Sequence, residues 1–293
     1  MKVGITGSHG FIGSHLYSEF EKKSHELSID ACERFDRTRH NLQDINSLKT
    51  FVEDKSVIFH LAGVNRVENS DFVKVNTLGT LNLIEAIRKY SSINRLRFIF
   101  ISALQVYGFT HSLRPLNESY HTQPSNVYGL SKKFAEELIY RYYEDYGLQG
   151  IVLRLANVYG PGCKPFYNSV VSTFAYLILK GEPVSIQGSG NSARDFIYVK
   201  DVVDGFIKTM NYTGDKPDTF NICTGIPTSI NDLVKHLETA VGKEIAVNRE
   251  GDVPDLFLVG DPSKARKKLG FSYKVSLADG FKETLDWFRS AFK

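Results

Sequence analysis

The chain has 293 residues, 42% of them hydrophobic and 24% charged, with a formal net charge of +3. That length supports a full core in one large domain or two modest ones, and so small and evenly spread a charge argues against nucleic-acid or membrane-surface binding. No apolar run reaches a membrane span, Met1-Lys2-Val3 leads into a strand rather than a secretory leader, and Cys32, Cys163 and Cys223 lack metal-ligand spacing; a cytoplasmic protein with reduced thiols and no metal is expected.

Lys2–Thr6 reads as a short buried strand, followed at once by Gly7-Ser-His-Gly10-Phe-Ile-Gly13 and then by helical periodicity from His15 to Lys22. A glycine-rich turn between a strand and a helix puts backbone N–H groups and a positive helix end where a pyrophosphate can sit. Gly7 suits the tight turn, Gly10 the close phosphate approach and Gly13 the helix–sheet packing. The spacing is one residue longer at the front than the usual dinucleotide fingerprint. Leu27–Ala31 is the expected second strand, which makes Asp30 a candidate for the adenosine ribose and favours NAD. Arg34, Arg37 and Arg39 follow closely and would suit a 2′-phosphate, so NAD and NADP both stay open.

A helix around Ile45–Val52 precedes the apolar run Ser56–Gly63, in which His60 is expected as a packed core histidine. Asn76 to Thr80 opens a helix running to Lys89, and Arg97–Ser102 is another buried strand. Strand and helix signals alternate as far as Ala156, which predicts an α/β fold with a parallel sheet covered on both faces. Ligands of such sheets bind beyond the carboxyl ends of the strands, so Gly7, Gly63 and Ser102 should border one crevice. Beside it falls Tyr128-Gly-Leu-Ser-Lys132, opening a helix whose residues four apart share a face. A free phenol titrates near pH 10; a desolvated cation alongside would lower that by units and make Tyr128 useful for proton transfer. After Asn157 the elements shorten and mix: a helix at Ala175–Lys180, a strand at Arg194–Val199, a helix at Asp201–Met210, a strand at Phe220–Cys223 and a helix at Ile230–Val241. They predict a smaller second lobe.

With these residues in hand, the chain resembles the extended short-chain dehydrogenase/reductase superfamily in its nucleotide-sugar epimerase/dehydratase branch. The motifs that carry the resemblance are Thr6–Gly13, His60–Gly63, Asn76–Thr80, Val106–Gly108, Tyr128-x-x-x-Lys132, Arg194–Val199 and Arg249–Pro254 with Asp261–Ala265. The resemblance implies a Rossmann-type doubly wound sheet, residues 1–160 plus about 193–212, and a mixed α/β substrate-binding lobe, about 161–192 plus 213–293. It implies a cofactor held by Gly7, His9, Gly10, Phe11, Ile12, Gly13, Asp30, Arg34, Leu61, Ala62, Gly63 and Asn76. Asn41 and Leu42 would border the adenine, although the family usually carries an acid at Asn41. Lys132 would bridge the nicotinamide ribose and tune Tyr128, the proton donor or acceptor at the sugar oxygen. Asn157, Arg194 and Arg249 would hold a nucleotide-diphosphate sugar, and a homodimer is expected.

One position departs from the pattern. The family places Ser or Thr where Ala103 stands, and the neighbouring Ser102 should face the other side of its strand, so Ser102 enters the catalytic set only if the backbone turns it. Losing that hydroxyl would cost about 10²-fold in rate, by analogy with one oxyanion donor. Leu104 and Gln105 replace the acidic pair that 4,6-dehydratases use, which argues against elimination. The expectation is an NAD(P)-dependent 4-keto-sugar reductase or 4-epimerase acting on a nucleotide-linked hexose. The alternative is a catalytically impaired relative that binds the dinucleotide in a regulatory role.

Overall fold

The computed structural model describes residues 1–167 and 169–291. Its main sheet has six strands in the order Asp218–Ile222, β5 (Gln149–Leu155), β4 (Arg97–Ala103), β3 (Val57–His60), β1 (Lys2–Thr6) and β2 (Ala31–Arg34). The pairs β1–β2, β1–β3 and β3–β4 run parallel. Register puts Thr6 opposite His60 and His60 opposite Phe100, so β1 and β3 end level with one another while β4 runs on to Ala103. The strands are apolar because helices cover them: Val3, Ile5, Ile58, Phe59, Phe98 and Ile99 are fully buried. Each such side chain contributes about 1.5–3 kcal/mol by leaving water.

Two compact units emerge from the chain's contacts. The first comprises Met1–Gly108, His121–Arg154 and Phe206–Phe220; the second comprises Phe109–Tyr120, Leu155–Gly205 and Asn221–Lys293. Relative to the boundaries expected from sequence, residues 109–120, 155–160 and 193–205 fall in the second unit, and 213–220 in the first. The second unit is built of short pieces. Ala193–Arg194 lies between Thr228–Ser229 and Phe257–Leu258, Val184–Gln187 pairs with Val247–Glu250, and Asn157–Tyr159 pairs with Phe196–Tyr198. Helices Val170–Lys180, Ile230–Val241 and Leu277–Ala291 close its core around Phe174, Leu233, Leu237, Phe281 and Phe288.

Most elements fall within a few residues of expectation. The second strand does not. It runs from Ala31 to Arg34, later than Leu27–Ala31, at the edge of the sheet, with Ala31 exposed and the other three side chains only partly buried. The helix expected from Asn76 is preceded by a wider, π-type turn over Phe72–Leu78 and becomes regular only at Gly79–Tyr90.

Candidate active site

The glycine turn has the geometry a pyrophosphate requires. Gly7 adopts φ +70°, and a Cβ there would lie 2.7 Å from the Ala62 nitrogen; a Cβ at Gly13 would lie 2.2 Å from the Gly7 carbonyl oxygen. Side chains are therefore excluded where the turn, the following helix and the β3 loop meet. Gly10 differs, since a Cβ there would meet only the Gly7 oxygen, at 3.1 Å. It caps the helix Phe11–Lys22 without any side-chain hydrogen bond, and the first turn carries no acid. The N–H groups of this end are thus free to receive an anion. His9 is exposed and Phe11 and Ile12 are partly buried in the same turn. These residues fit a dinucleotide's pyrophosphate.

Asp30 is a correction. Because β2 starts at Ala31, opposite Lys2, Asp30 stands at the amino end of the sheet, where its carboxylate pairs with the N-terminal ammonium at 2.8 Å. The acid at the carboxyl end is Asp36, two residues beyond Arg34, and it holds Thr38 by its amide at 2.9 Å and its hydroxyl at 2.7 Å. Those bonds keep the Asp36 carboxyl below its usual range. Spacing alone does not separate the two acids, since about 20 residues beyond Gly13 falls at Glu33, midway between Asp30 and Asp36; the strand register does. Arg34 does lie at the turn, donating to the Ser8 carbonyl at 3.1 Å with its guanidinium over the Tyr17 ring. Asn41 folds its side chain back on the Gln43 amide at 2.9 Å, and Leu42 is pinned by Asn82, which donates to its carbonyl at 2.8 Å.

At the end of β3, His60 is the core histidine expected. Its ring nitrogens meet Thr6 Oγ1 at 2.7 Å and Thr80 Oγ1 at 3.0 Å, and burial pushes its pKa down to about 3, leaving it neutral. Leu61, Ala62 and Gly63 follow, with the Ala62 amide donating to Thr6 Oγ1 at 3.1 Å. Asn76 cannot present its amide to a cofactor. It is fully buried, accepts from the Val64 N–H at 2.8 Å, and donates to the Val64 carbonyl at 2.9 Å and to Ser131 Oγ at 3.0 Å. The π-type turn that carries it thus ties the loop after β3 to the Tyr128 helix.

That helix, Val127–Tyr146, starts where Asn126 accepts the Gly129 N–H at 2.8 Å and stops at Gly147, which takes the left-handed conformation. A Cβ on Gly129 would lie 2.6 Å from the Gln105 carbonyl oxygen, so glycine lets the helix start hard against the turn Leu104–Tyr107. Tyr128 is partly buried, its ring edge-on to Phe72 at 5.9 Å. Lys132, one turn on and 5% exposed, donates to the Ile101 carbonyl at 2.8 Å and lies over the Phe100 ring. A Cβ on Gly63 would stand 3.3 Å from its Nζ. Burial lowers Lys132 to about 8, with Glu136 opposing the fall. Burial also raises the Tyr128 phenol, to about 12, against the lowering expected from the sequence. The ammonium is turned to the Ile101 carbonyl, so desolvation of the phenol prevails.

Ser102 is a further correction. Its hydroxyl is buried and donates to Glu136 at 2.5 Å, on the face opposite Ala103, as strand alternation requires. Leu104 is buried and has no group that can give or take a proton.

In the second unit, Asn157 donates from its side chain to the Asp195 carbonyl at 3.0 Å. Arg194 is partly desolvated, bonds the carbonyls of Ala193 and Leu256, and lies over the Phe109 ring. Arg249 donates to the Ser189 carbonyl at 2.8 Å and to Asn231 Oδ1 at 2.9 Å, beside a cavity of about 290 Å³. Among the described residues no group of His, Cys, Asp or Glu could hold a metal ion, and no helix is long and apolar enough to cross a membrane.

Residues 3–223 match the NAD dependent epimerase/dehydratase family. The chain belongs to that family. Among its members, a UDP-glucose 4-epimerase of Mycolicibacterium smegmatis is 31% identical over 99% of both chains. The UDP-glucose 4-epimerase of Thermotoga maritima, solved with UDP-glucose, superposes with a TM-score of 0.88 at 30% identity, covering 100% of both chains. That of Thermus thermophilus, solved as a complex with NAD, gives 0.87 at 27% identity over 99% of this chain and 100% of its own. The expected fold class, the α/β sheet of Rossmann type, stands.

Proposed function

We propose that this chain is an NAD-dependent 4-epimerase of a nucleotide-linked hexose, with Tyr128 moving the proton of the C4 oxygen and Lys132 supplying the charge that makes this possible. The observation that carries the reading is Lys132: a buried ammonium at the carboxyl end of the sheet, one helical turn from Tyr128 and against Gly63, held by a neutral carbonyl. NAD, when bound, supplies the hydride chemistry and a cationic ring. The first unit is the proposed dinucleotide-binding domain. Gly7, Gly10 and Gly13, with His9, Phe11 and Ile12, would seat the pyrophosphate; Asp36 the adenosine ribose; Arg34, Asn41 and Leu42 the adenine side; and Leu61 to Gly63 the nicotinamide side. The second unit is the proposed nucleotide-sugar lobe, with Asn157, Arg194 and Arg249 for the diphosphate, since a guanidinium can bind it bidentately. A cytoplasmic homodimer completes the proposal.

A phenol at about 12 lies roughly 7 kcal/mol from its phenolate at pH 7, at 1.4 kcal/mol per unit. At rest Tyr128 therefore carries its proton, and because giving that proton up leaves the same phenolate, cations beside it must offset the cost whether it acts as donor or as base. A phenol protonated at rest favours a second reading, a 4-keto-sugar reductase, which needs that proton in place before the hydride moves. The two separate in one assay on UDP-, dTDP- and GDP-linked hexoses: the epimerase interconverts substrate and product without consuming NADH, whereas the reductase consumes it. Tyr128→Phe should cost about 10²–10⁴-fold in turnover while cofactor binding is kept. No turnover on any substrate, with Tyr128→Phe indistinguishable from the parent, would leave only the non-catalytic alternative.

A further inference from the structure

Tyr128, Lys132 and Glu136 are successive residues four apart on one helix, so they form one stripe along it. Glu136 is 3% exposed, and its carboxylate is held from two strands. From β4, Ser102 Oγ donates at 2.5 Å. From β5, Arg154 donates through Nε to both oxygens at 3.1 and 3.2 Å, and through Nη2 to one of them at 2.6 Å. The Arg154 guanidinium, itself buried, lies 4.7 Å over the ring of Tyr107, in the turn against which Gly129 brings the helix.

A buried ion pair is a poor source of stability, because apolar side chains of similar volume usually serve as well. It differs from them in direction and charge. Forked bonds to β5 and a third bond to β4 fix the helix's rotation and its depth on the sheet. They also keep a carboxylate one turn from Lys132. The groups facing Lys132 from the other elements carry no negative charge: neutral His60 from β3, the Ile101 carbonyl and Phe100 ring from β4, and the Asn76 amide beside Gly63. Along its own helix lie Tyr128, a neutral phenol, and Glu136, whose partner Arg154 lies beyond it on β5.

We propose that the Ser102–Glu136–Arg154 network is the positioning device of the catalytic pair, setting the Tyr128 helix against β4 and β5 and holding Lys132 as a cation. None of the three is assigned a contact with substrate. The inference rests on Tyr128 and Lys132 being the reacting pair. It also gives the Ser102 hydroxyl its role: it anchors Glu136.

The test is steady-state kinetics of the NAD-bound enzyme on its nucleotide hexose, followed across pH, in three variants. Glu136→Met/Arg154→Met removes both charges at similar volume. We expect kcat to fall by up to about 10²-fold, as for a misplaced reacting group, with KM within about twofold because the substrate contacts are untouched. The alkaline limb of kcat should move to lower pH, since Lys132 without Glu136 loses its proton sooner. Ser102→Ala should move kcat in the same direction but less. Arg154→Lys keeps the charge without the fork and should lower kcat with the limb unmoved. A folded double variant with the parent's kcat and alkaline limb overturns the proposal. If the double variant does not fold, parental kcat in both Ser102→Ala and Arg154→Lys overturns it. Tyr128→Phe run alongside separates the two layers: full activity there overturns the proposed function and this inference together. An inactive Tyr128→Phe with unaffected network variants removes this inference alone.

Discussion

Two buried cations lie where the Tyr128 helix meets the sheet, and they are held in opposite ways. Arg154 sits over the Tyr107 ring with a carboxylate locked into its fork, so its proton is held more tightly than usual despite burial. Lys132 sits over the Phe100 ring with a backbone carbonyl for a partner, and burial brings its ammonium down to about 8. The difference separates structure from chemistry. Arg154's charge is answered within the fold, and its work is to hold a helix. Lys132's direct partners are dipoles, and the Glu136 carboxylate one turn away is already committed to Arg154, so its field still acts on whatever comes to lie beside it.

The largest effect should come from breaking the answered pair on one side only. Arg154→Met leaves Glu136 buried without its counter-ion and should destabilise the protein by about 3–5 kcal/mol, read by denaturant unfolding. Removing the unanswered charge should do the reverse. Lys132→Met should cost about 10²–10³-fold in turnover, on the scale of losing one electrostatic donor, while unfolding shows a protein no less stable than the parent.

That stability difference should depend on pH in a defined sense. Lys132 holds its proton up to about 8 in the fold and up to about 10.5 when unfolded. Below about 8 both states are protonated, and the fold bears the whole cost of the buried charge, about 3 kcal/mol. As pH rises from about 8 to 10.5 the unfolded chain binds more protons, so this cost is progressively relieved. The gain of Lys132→Met over the parent should therefore be full at neutral pH and vanish above about 10.5. A pH-independent difference would place Lys132 in the same class as Arg154.

Much of this site was legible in the sequence because it depends on local spacing. The glycine turn, the four-residue step from Tyr128 to Lys132 and the alternation that turns Ser102 away from Ala103 each follow from residues near one another in the chain. What was not legible depends on edges and on distant partners. β2 is an edge strand with no clean apolar alternation, so the sequence pattern alone does not reveal that it starts at Ala31 and leaves Asp30 at the amino end of the sheet. Asn76 was expected beside the cofactor, but its bonds to Val64 and Ser131 close a link across 55 residues. The rise of the Tyr128 phenol depends on which way Lys132 turns, and Ile101, thirty-one residues away, decides that. Glu136 gave no motif at all until Arg154 came to face it.

Everything proposed for the reaction depends on Lys132 being a buried cation without a committed counter-ion. The most direct check is an NMR titration of its Nζ-bound carbon, assigned by comparison with Lys132→Met. A midpoint near 8 is expected, apart from the exposed lysines; a midpoint at the ordinary lysine value, near 10.4, would contradict it.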